Sequence, residues 1–162
     1  IYVRQLEVRE LVAMMEALAE LEGVLARLAA TRVNAELSER MQAALGRTAE
    51  RAQADDPIGY ARANANLHDL IYEGSGNAYI VEQTQLVRLR IAPYRGRLFE
   101  RPGRLVRSQA EHVAVIEAIR AGRPDAAAEA MREHISAGGK AFADMVLSAP
   151  ARSHDYGRQR RK

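Results

Sequence analysis

The chain has 162 residues, of which 48% are hydrophobic and 28% charged, and its formal net charge is +3. This length predicts a single domain that buries a sizeable core. The lack of cysteine excludes disulfides and thiolate metal sites. Neither a membrane-spanning apolar run nor a signal peptide occurs in the sequence, so we expect a cytoplasmic protein without membrane contacts.

Positive charge is concentrated in two segments. Residues 88–107 hold seven arginines against one glutamate, and the last twelve residues hold five basic side chains against one aspartate. The rest of the chain is net negative. This distribution favours an anion-binding pocket and a basic tail over a uniformly basic nucleic-acid surface.

The first half of the chain predicts three helices. Residues 1–6 are expected to form a short extended segment, and apolar residues at spacings of three and four predict a helix over residues 7–31. Asn34 is the expected N-cap of the second helix. Asp56, followed by Pro57 at the first helical position, predicts the start of the third.

The second half predicts three more helices. The third helix is expected to end at the turn 74–76, and the fourth is expected to run from Asn77 until Pro93 kinks or ends it. Residues 95–103 are predicted to form a loop or a broken helix. The remaining helices are expected over residues 105–121 and 124–147.

These elements predict an all-α fold, an antiparallel bundle of about six helices joined by short loops. The helical domain is expected to span residues 7–148. Residues 149–162 have no apolar periodicity and are predicted to form a basic, disordered tail.

Three histidines are expected to point into this bundle. Asn64 and His68 are four residues apart, so their side chains stack on the apolar side of the third helix, close to Tyr72. His112 and His134 lie on the apolar faces of the fifth and sixth helices. Buried polar groups need partners, and for each histidine alone that partner could be a backbone carbonyl.

Taken together, three inward imidazoles and an amide one turn from the first match the donor set of a metal site, which helical bundles build from facing helices. Uncharged nitrogen and amide-oxygen donors favour a divalent transition metal of the Zn, Ni or Mn class. The predicted metal ligands are therefore Asn64, His68, His112 and His134.

A bound divalent ion would keep its charge among these four neutral donors, and an anionic ligand on its open positions would relieve that charge. Arginine binds carboxylates through two parallel hydrogen bonds. The predicted ligand-binding residues are Arg88, Arg95 and Tyr72, and the predicted effector is a small carboxylate metabolite. For either arginine, a solvated surface charge is the alternative.

Two other functions remain open at this point. A metal-dependent, hydrolase-like enzyme needs a general base beside the metal-bound water. Asp69, Glu111 and Glu133 are sequence neighbours of the histidines and are predicted to point elsewhere, which leaves Glu22 as the only inward-leaning carboxylate. We therefore predict no catalytic residues and no enzyme. A metal-free helical interaction module, with three ordinary core histidines, is the second alternative.

The pattern resembles the C-terminal effector-binding domain of GntR-type bacterial transcription regulators, in the FadR-like (FCD) subgroup. The matching segments follow the family's order over about residues 11–142. They are Leu21-Glu22 with Ala26 and Leu28-Ala29-Ala30, Asn64-x3-His68-x8-Asn77, Glu111-His112-x6-Ile119, and Ala127-x3-Met131-x2-His134-Ile135.

The resemblance implies a helical bundle, usually dimeric, that binds a metal and a small organic acid to control operator binding. It places the family's metal ligands on the four residues named above. It also identifies residues 1–6 as the remnant of the wing or linker of an upstream winged helix-turn-helix domain, through which a homodimer would contact operator DNA. Two residues depart from the family pattern: Asn64 replaces a common aspartate, and Leu18 replaces a common arginine that grips the ligand's carboxylate.

Overall fold

Six α-helices make up the fold, and no strand occurs within residues 8–95 and 98–148, which the computed structural model describes. Side chains are described for residues 9–93 and 98–140. The helices are α1 (Val8–Arg32), α2 (Ala35–Gln53), α3 (Pro57–Ser75), α4 (Ala78–Arg95), α5 (Arg104–Arg120) and α6 (Pro124–Ser148), with a short 3-10 helix at Leu98–Glu100. The predicted all-α fold is confirmed, whereas the segments 1–6 and 149–162 lie outside the described residues.

The capping residues named from the sequence set the start of α2 and α3. Asn34 Oδ1 accepts a hydrogen bond from the backbone N–H of Leu37 at 2.8 Å, and Asp56 Oδ1 accepts one from Gly59 at 2.8 Å. Each cap satisfies a backbone donor that the first helical turn leaves without a partner. At the other end of α3, Gly76 adopts φ = 58°, a left-handed conformation that glycine takes without strain.

Helix α4 does not end at Pro93 but continues to Arg95. Proline removes one backbone donor and displaces the carbonyl four residues earlier, which belongs to Leu89. Because Leu89 and Pro93 both lie on the exposed side of the helix, water can reach that carbonyl. The last turn therefore tolerates the proline.

Helix α1 is the centre of the bundle and packs against α3, α4, α5 and α6. Its inward side is apolar at Leu18, Leu25 and Ala26, all fully buried. Glu22 lies on the same side and is also fully buried, so a carboxylate interrupts the core where four other helices meet α1. None of the described helices combines the length and the apolar composition that crossing a bilayer requires.

Candidate metal centre

Three histidine side chains from three helices meet beside Glu22. His68 of α3 and His112 of α5 are fully buried, and His134 of α6 is 4% exposed. The ring centroids are 5.4 Å apart for His68 and His134, 5.5 Å for His68 and His112, and 4.4 Å for His112 and His134. One ring nitrogen from each histidine lies within 4.8 Å of the others. The sequence prediction that these rings share one inner site agrees with this geometry.

His68 is held by a carboxylate that an arginine holds in turn. Its Nδ1 lies 2.6 Å from Glu22 Oε2, and Arg88 Nε donates to Glu22 Oε1 at 2.9 Å. A carboxylate only accepts hydrogen bonds, so the proton of the neutral ring is on Nδ1 and the lone pair is on Nε2. This arrangement, in which a carboxylate fixes the tautomer and the ring orientation, is the usual support of a metal-binding histidine.

His134 has the same kind of support on the other side of the site. Its Nδ1 lies 2.8 Å from Glu111 Oε2. Arg104 donates to both oxygens of Glu111, at 3.1 Å each. Burial would raise the pKa of Glu111, but the hydrogen bonds from His134 and Arg104 outweigh it and hold that pKa below its ordinary value. The prediction that Glu111 points away from the site is wrong, because its side chain reaches across from α5 to the ring on α6.

His112 lacks a carboxylate partner among the described residues. Its Nδ1 lies 3.3 Å from the hydroxyl oxygen of Tyr60, which is fully buried on α3. Burial raises the pKa of Tyr60 to about 12, so the phenol keeps its proton. Since a hydroxyl both donates and accepts, this contact permits either tautomer of His112.

Two ring nitrogens of the site, and the amide oxygen one turn before His68 on α3, lack protein partners among the described residues. Nε2 of His68, Nε2 of His112 and Oδ1 of Asn64 are buried without a hydrogen-bond partner among the described residues. A buried polar atom left unpaired destabilises the fold by about 1–3 kcal/mol. Unpaired atoms at the meeting point of three rings therefore indicate a ligand that accepts their lone pairs.

Burial favours the neutral form of the three imidazoles. It lowers the pKa of His68 to about 3, lowers the pKa of His112 well below its ordinary value, and also lowers the pKa of His134. A neutral imidazole is the form that binds a metal. The donors thus carry no charge, and the two glutamates are balanced by Arg88 and Arg104.

A metal ion fits this donor set. With metal–nitrogen bonds of about 2.1 Å, tetrahedral geometry needs ring nitrogens about 3.4 Å apart, and the ring nitrogens here all lie within 4.8 Å of one another. Imidazole and amide donors suit a transition metal of the Zn, Ni or Mn class rather than Ca²⁺ or Mg²⁺. The three buried histidines could therefore form a metal site.

The structure describes the side chains of two of the three predicted ligand-binding residues. Arg88 stands at the edge of the site, with its side chain 19% exposed and its guanidinium carbon 5.5 Å from the centroid of the Tyr72 ring. Tyr72 is buried on α3 one turn after His68. Arg95 ends α4, but its side chain lies outside the described residues.

Sequence reasoning did not assign a role to Tyr60, Arg104 or Glu111. Helical spacing could have indicated the position of Tyr60 and the pairing of Arg104 with Glu111, but not the contact of Glu111 with His134. Tyr60 precedes Asn64 by one turn on the face that leads to His68, and Arg104 lies two turns before Glu111 on α5.

The comparisons with known proteins agree with this architecture. The model of the FCD domain family matches residues 13–137. Among solved structures, E. coli McbR/YncC is similar, with a TM-score of 0.78 at 17% sequence identity, over 85% of this chain and 66% of that one. This chain thus spans just under two thirds of the length of that relative, and the likeness at this identity concerns the fold. No curated protein matches the chain. Because the family match covers most of the sequence, the chain belongs to the FCD domain family.

Proposed function

We propose that this chain is the effector-sensing and dimerisation domain of a GntR-type transcriptional regulator. Its core binds one divalent transition metal through His68, His112, His134 and Asn64. The observation that carries this proposal is the set of unpaired atoms at the meeting point of the three rings, with each Nδ1 already engaged elsewhere. Rings that are held through Nδ1, two of which have an Nε2 without a hydrogen-bond partner among the described residues, have the arrangement that a metal ion requires.

The effector of this domain is a small carboxylate. The donors leave the charge of a divalent ion uncompensated, because Asn64 replaces an aspartate and the two glutamates are already paired with arginines. An anion bound to the ion neutralises it in a site of low dielectric, where charge is costly. Leu18 is fully buried and offers no cation, so Arg88 at the edge of the site, with Tyr72 below it, is the group that receives the carboxylate. Arg95 is the second candidate for that contact.

Effector binding is transmitted through helix positions. Glu22 of α1 is hydrogen-bonded to Arg88 of α4 and to His68 of the metal site. A ligand that binds Arg88 therefore shifts the positions of α1 and α4. In a cytoplasmic homodimer, a change in these helices alters the spacing of the upstream domains that contact operator DNA. The shift is limited by the difference in the ligand's affinity for the two arrangements.

The enzyme alternative has less support. A general base beside a metal-bound water needs a free carboxylate. Glu22 and Glu111, the two carboxylates at the site, each accept hydrogen bonds from a histidine and from an arginine. The site therefore binds and holds its ligand without a poised base.

Thermal unfolding of the chain tests the proposal. The metal-stripped chain is titrated with Zn²⁺, Ni²⁺ or Mn²⁺, and then with a panel of small carboxylic acids in the presence of the metal. A ligand at a hundredfold excess over its dissociation constant stabilises the folded state by about 2.7 kcal/mol. The variant His112→Ala should lose the metal response, and His154→Ala, outside the triad, should keep it. Equal responses in both variants would refute metal binding at this site.

The same experiment separates the alternatives. A metal-free interaction module shows no metal response at all. An enzyme shows turnover of an added ester or amide that disappears on chelation.

A further inference from the structure

The most basic segment of the sequence has no role in the metal site. Residues 152–162, called the basic segment below, hold five basic side chains against Asp155, a net charge of +4. Because the whole chain has a formal net charge of +3, all other residues together carry −1. Four of the five basic residues fall within positions 158–162. Such a block of like charge is typical of a segment that binds a polyanion.

Helix α6 determines where the basic segment begins. Three contacts set the antiparallel register of α6 against α1: Arg27 with Asp125, Glu20 with Arg132, and Met15 with Gly139. Each step toward the start of α1 is therefore a step toward the end of α6. With this register, the level of Val8, the first residue of α1, is reached at about residue 145 of α6. Ser148, the last residue of α6, lies within about one helical turn of that level.

Helix α1 therefore begins, and helix α6 ends, at the same end of the bundle. In the proposed function, the chain before Val8 leads to the domain that contacts operator DNA. Only residues 149–151 separate Ser148 from the basic segment. The fourteen residues 149–162 span at most about 50 Å, at about 3.6 Å each. A small domain of about 70 residues is about 28 Å across, so DNA on its far side is within that reach.

The composition of the basic segment favours nucleic acid over a membrane as the polyanion. Stable binding to an anionic lipid surface needs a second anchor, such as apolar side chains that insert between the lipids. The basic segment contains no Leu, Ile, Val, Met, Phe or Trp, and Tyr156 is its one aromatic residue. Binding to DNA phosphates needs only positive charge, because each neutralised phosphate releases a counterion. DNA is also the polyanion that the proposed upstream domain holds at this end of the bundle.

We propose that the basic segment binds the phosphate backbone of the DNA beside the operator that the upstream domain recognises. This inference rests on the operator binding in the proposed function and adds a second DNA contact to it. Phosphate contacts position a protein on the duplex but do not read its sequence. The segment thus increases the affinity for operator and for other DNA alike, and its contribution weakens as the salt concentration rises.

The salt dependence of DNA binding by this chain tests the proposal. A fluorescent duplex of arbitrary sequence is titrated with the metal-stripped chain, and anisotropy gives the dissociation constant between about 50 and 200 mM NaCl. For each basic segment that engages, five phosphate contacts predict a slope of log K against log salt of about −4.5. This slope corresponds to a loss of affinity of about 500-fold over that range.

Variants locate the contact on the chain. Deletion of residues 152–162 leaves α6 intact and should abolish this binding, and Arg160→Gln alone should make the slope shallower by about 0.9. The matched control is Arg123→Gln, which removes the same charge at an exposed position just before α6, at the opposite end of the bundle. It should leave the slope unchanged. DNA binding that survives the deletion would overturn the inference.

Two other probes define the ligand. Vesicles that contain phosphatidylserine should bind the chain more weakly than the duplex does at the same salt concentration. Tighter binding to the vesicles would assign the basic segment to a membrane and overturn the inference. A second duplex of scrambled sequence should bind as well as the first, since phosphate contacts carry no sequence information. A preference between the two duplexes would contradict binding through phosphates.

This result is separable from the metal site, because the duplex is titrated with metal-stripped chain. DNA binding through the basic segment, together with no metal response in thermal unfolding, refutes the metal binding in the proposed function and leaves this inference standing. An intact metal response in a chain that does not bind the duplex overturns the DNA contact alone.

Discussion

The candidate metal site supports its three histidines in two different ways. His68 and His134 each donate to a glutamate that an arginine holds, although one set comes from α1, α3 and α4 and the other from α5 and α6. The third ring, that of His112, has the hydroxyl of Tyr60 as the partner of its Nδ1.

This difference means that the tautomer and the orientation of only two of the three rings are fixed before a ligand binds. The carboxylates fix the tautomer of two rings and leave their Nε2 lone pairs toward the centre. The hydroxyl of Tyr60 accepts or donates, so His112 takes the required tautomer when a metal arrives. The supports on the two carboxylate sides should therefore matter more for binding than the support of the third ring.

Removal of His112 itself should have the largest effect. His112→Ala leaves two imidazoles and an amide, and we expect it to abolish stoichiometric metal retention. Elemental analysis after gel filtration measures this directly. His112→Gln is the second variant, since truncation of a fully buried ring also destabilises the fold by several kcal/mol. Full metal retention in both variants would show that the third ring is not a ligand.

The second-largest effect is expected at the two glutamates that hold His68 and His134. Glu22→Gln and Glu111→Gln should each weaken metal binding about 10- to 100-fold, because the ring loses the acceptor that orients it. Glu22→Gln should also lower the free energy of unfolding by about 3 kcal/mol, since it leaves Arg88 without its buried counter-charge. Isothermal titration and chemical denaturation measure the two effects. Unchanged metal affinity in both variants would contradict the role of the carboxylates.

The metal-free chain should lose stability in acid. Burial lowers the pKa of His68 to about 3. Below pH 6.5, His68 therefore binds a proton in the unfolded state but not in the folded state. Stability is fully present above pH 6.5 and falls as the pH falls, by about 2 kcal/mol at pH 5 from His68 alone. Urea denaturation at pH 7 and pH 5 checks this, with His68→Gln as the control that makes the loss of stability smaller, while His112 and His134 still contribute. A free energy of unfolding of the wild-type chain that rises between pH 7 and pH 5 would contradict buried neutral rings.

The smallest effect is expected at Tyr60. Tyr60→Phe removes one hydrogen bond of His112 and no charge, which should weaken metal binding about fivefold, equivalent to about 1 kcal/mol. The measurement is the same titration as for the glutamates. A larger loss than in Glu22→Gln would reverse the proposed ranking of the supports.

The sequence alone predicted the part of the site that depends on helical periodicity. Asn64, His68, His112 and His134 lie on apolar faces, and Glu22 leans inward on α1, so each was found from its own helix. The caps Asn34 and Asp56 are local signals and were found in the same way.

What periodicity does not show is which helices become neighbours. The bond between Glu111 and His134 joins α5 to α6, and the bond between Glu22 and His68 joins residues 46 positions apart. Glu111 is next to His112 and points about 100° away from it on α5, which led to the wrong prediction for its side chain. Its role depends on where α6 packs. The same limit applies to Arg88, whose partner on α1 no local pattern identifies.

Titration of the metal-stripped chain with Zn²⁺ at pH 6 tests the central claim most directly. We predict saturation at one ion per chain, loss of binding in His112→Ala, and release of fewer imidazole protons than exposed histidines would release, because burial lowers the pKa of all three rings. Three exposed histidines would release about 2.3 protons at that pH. Binding that does not saturate, or that persists unchanged in His112→Ala, would contradict a metal held where the three rings meet.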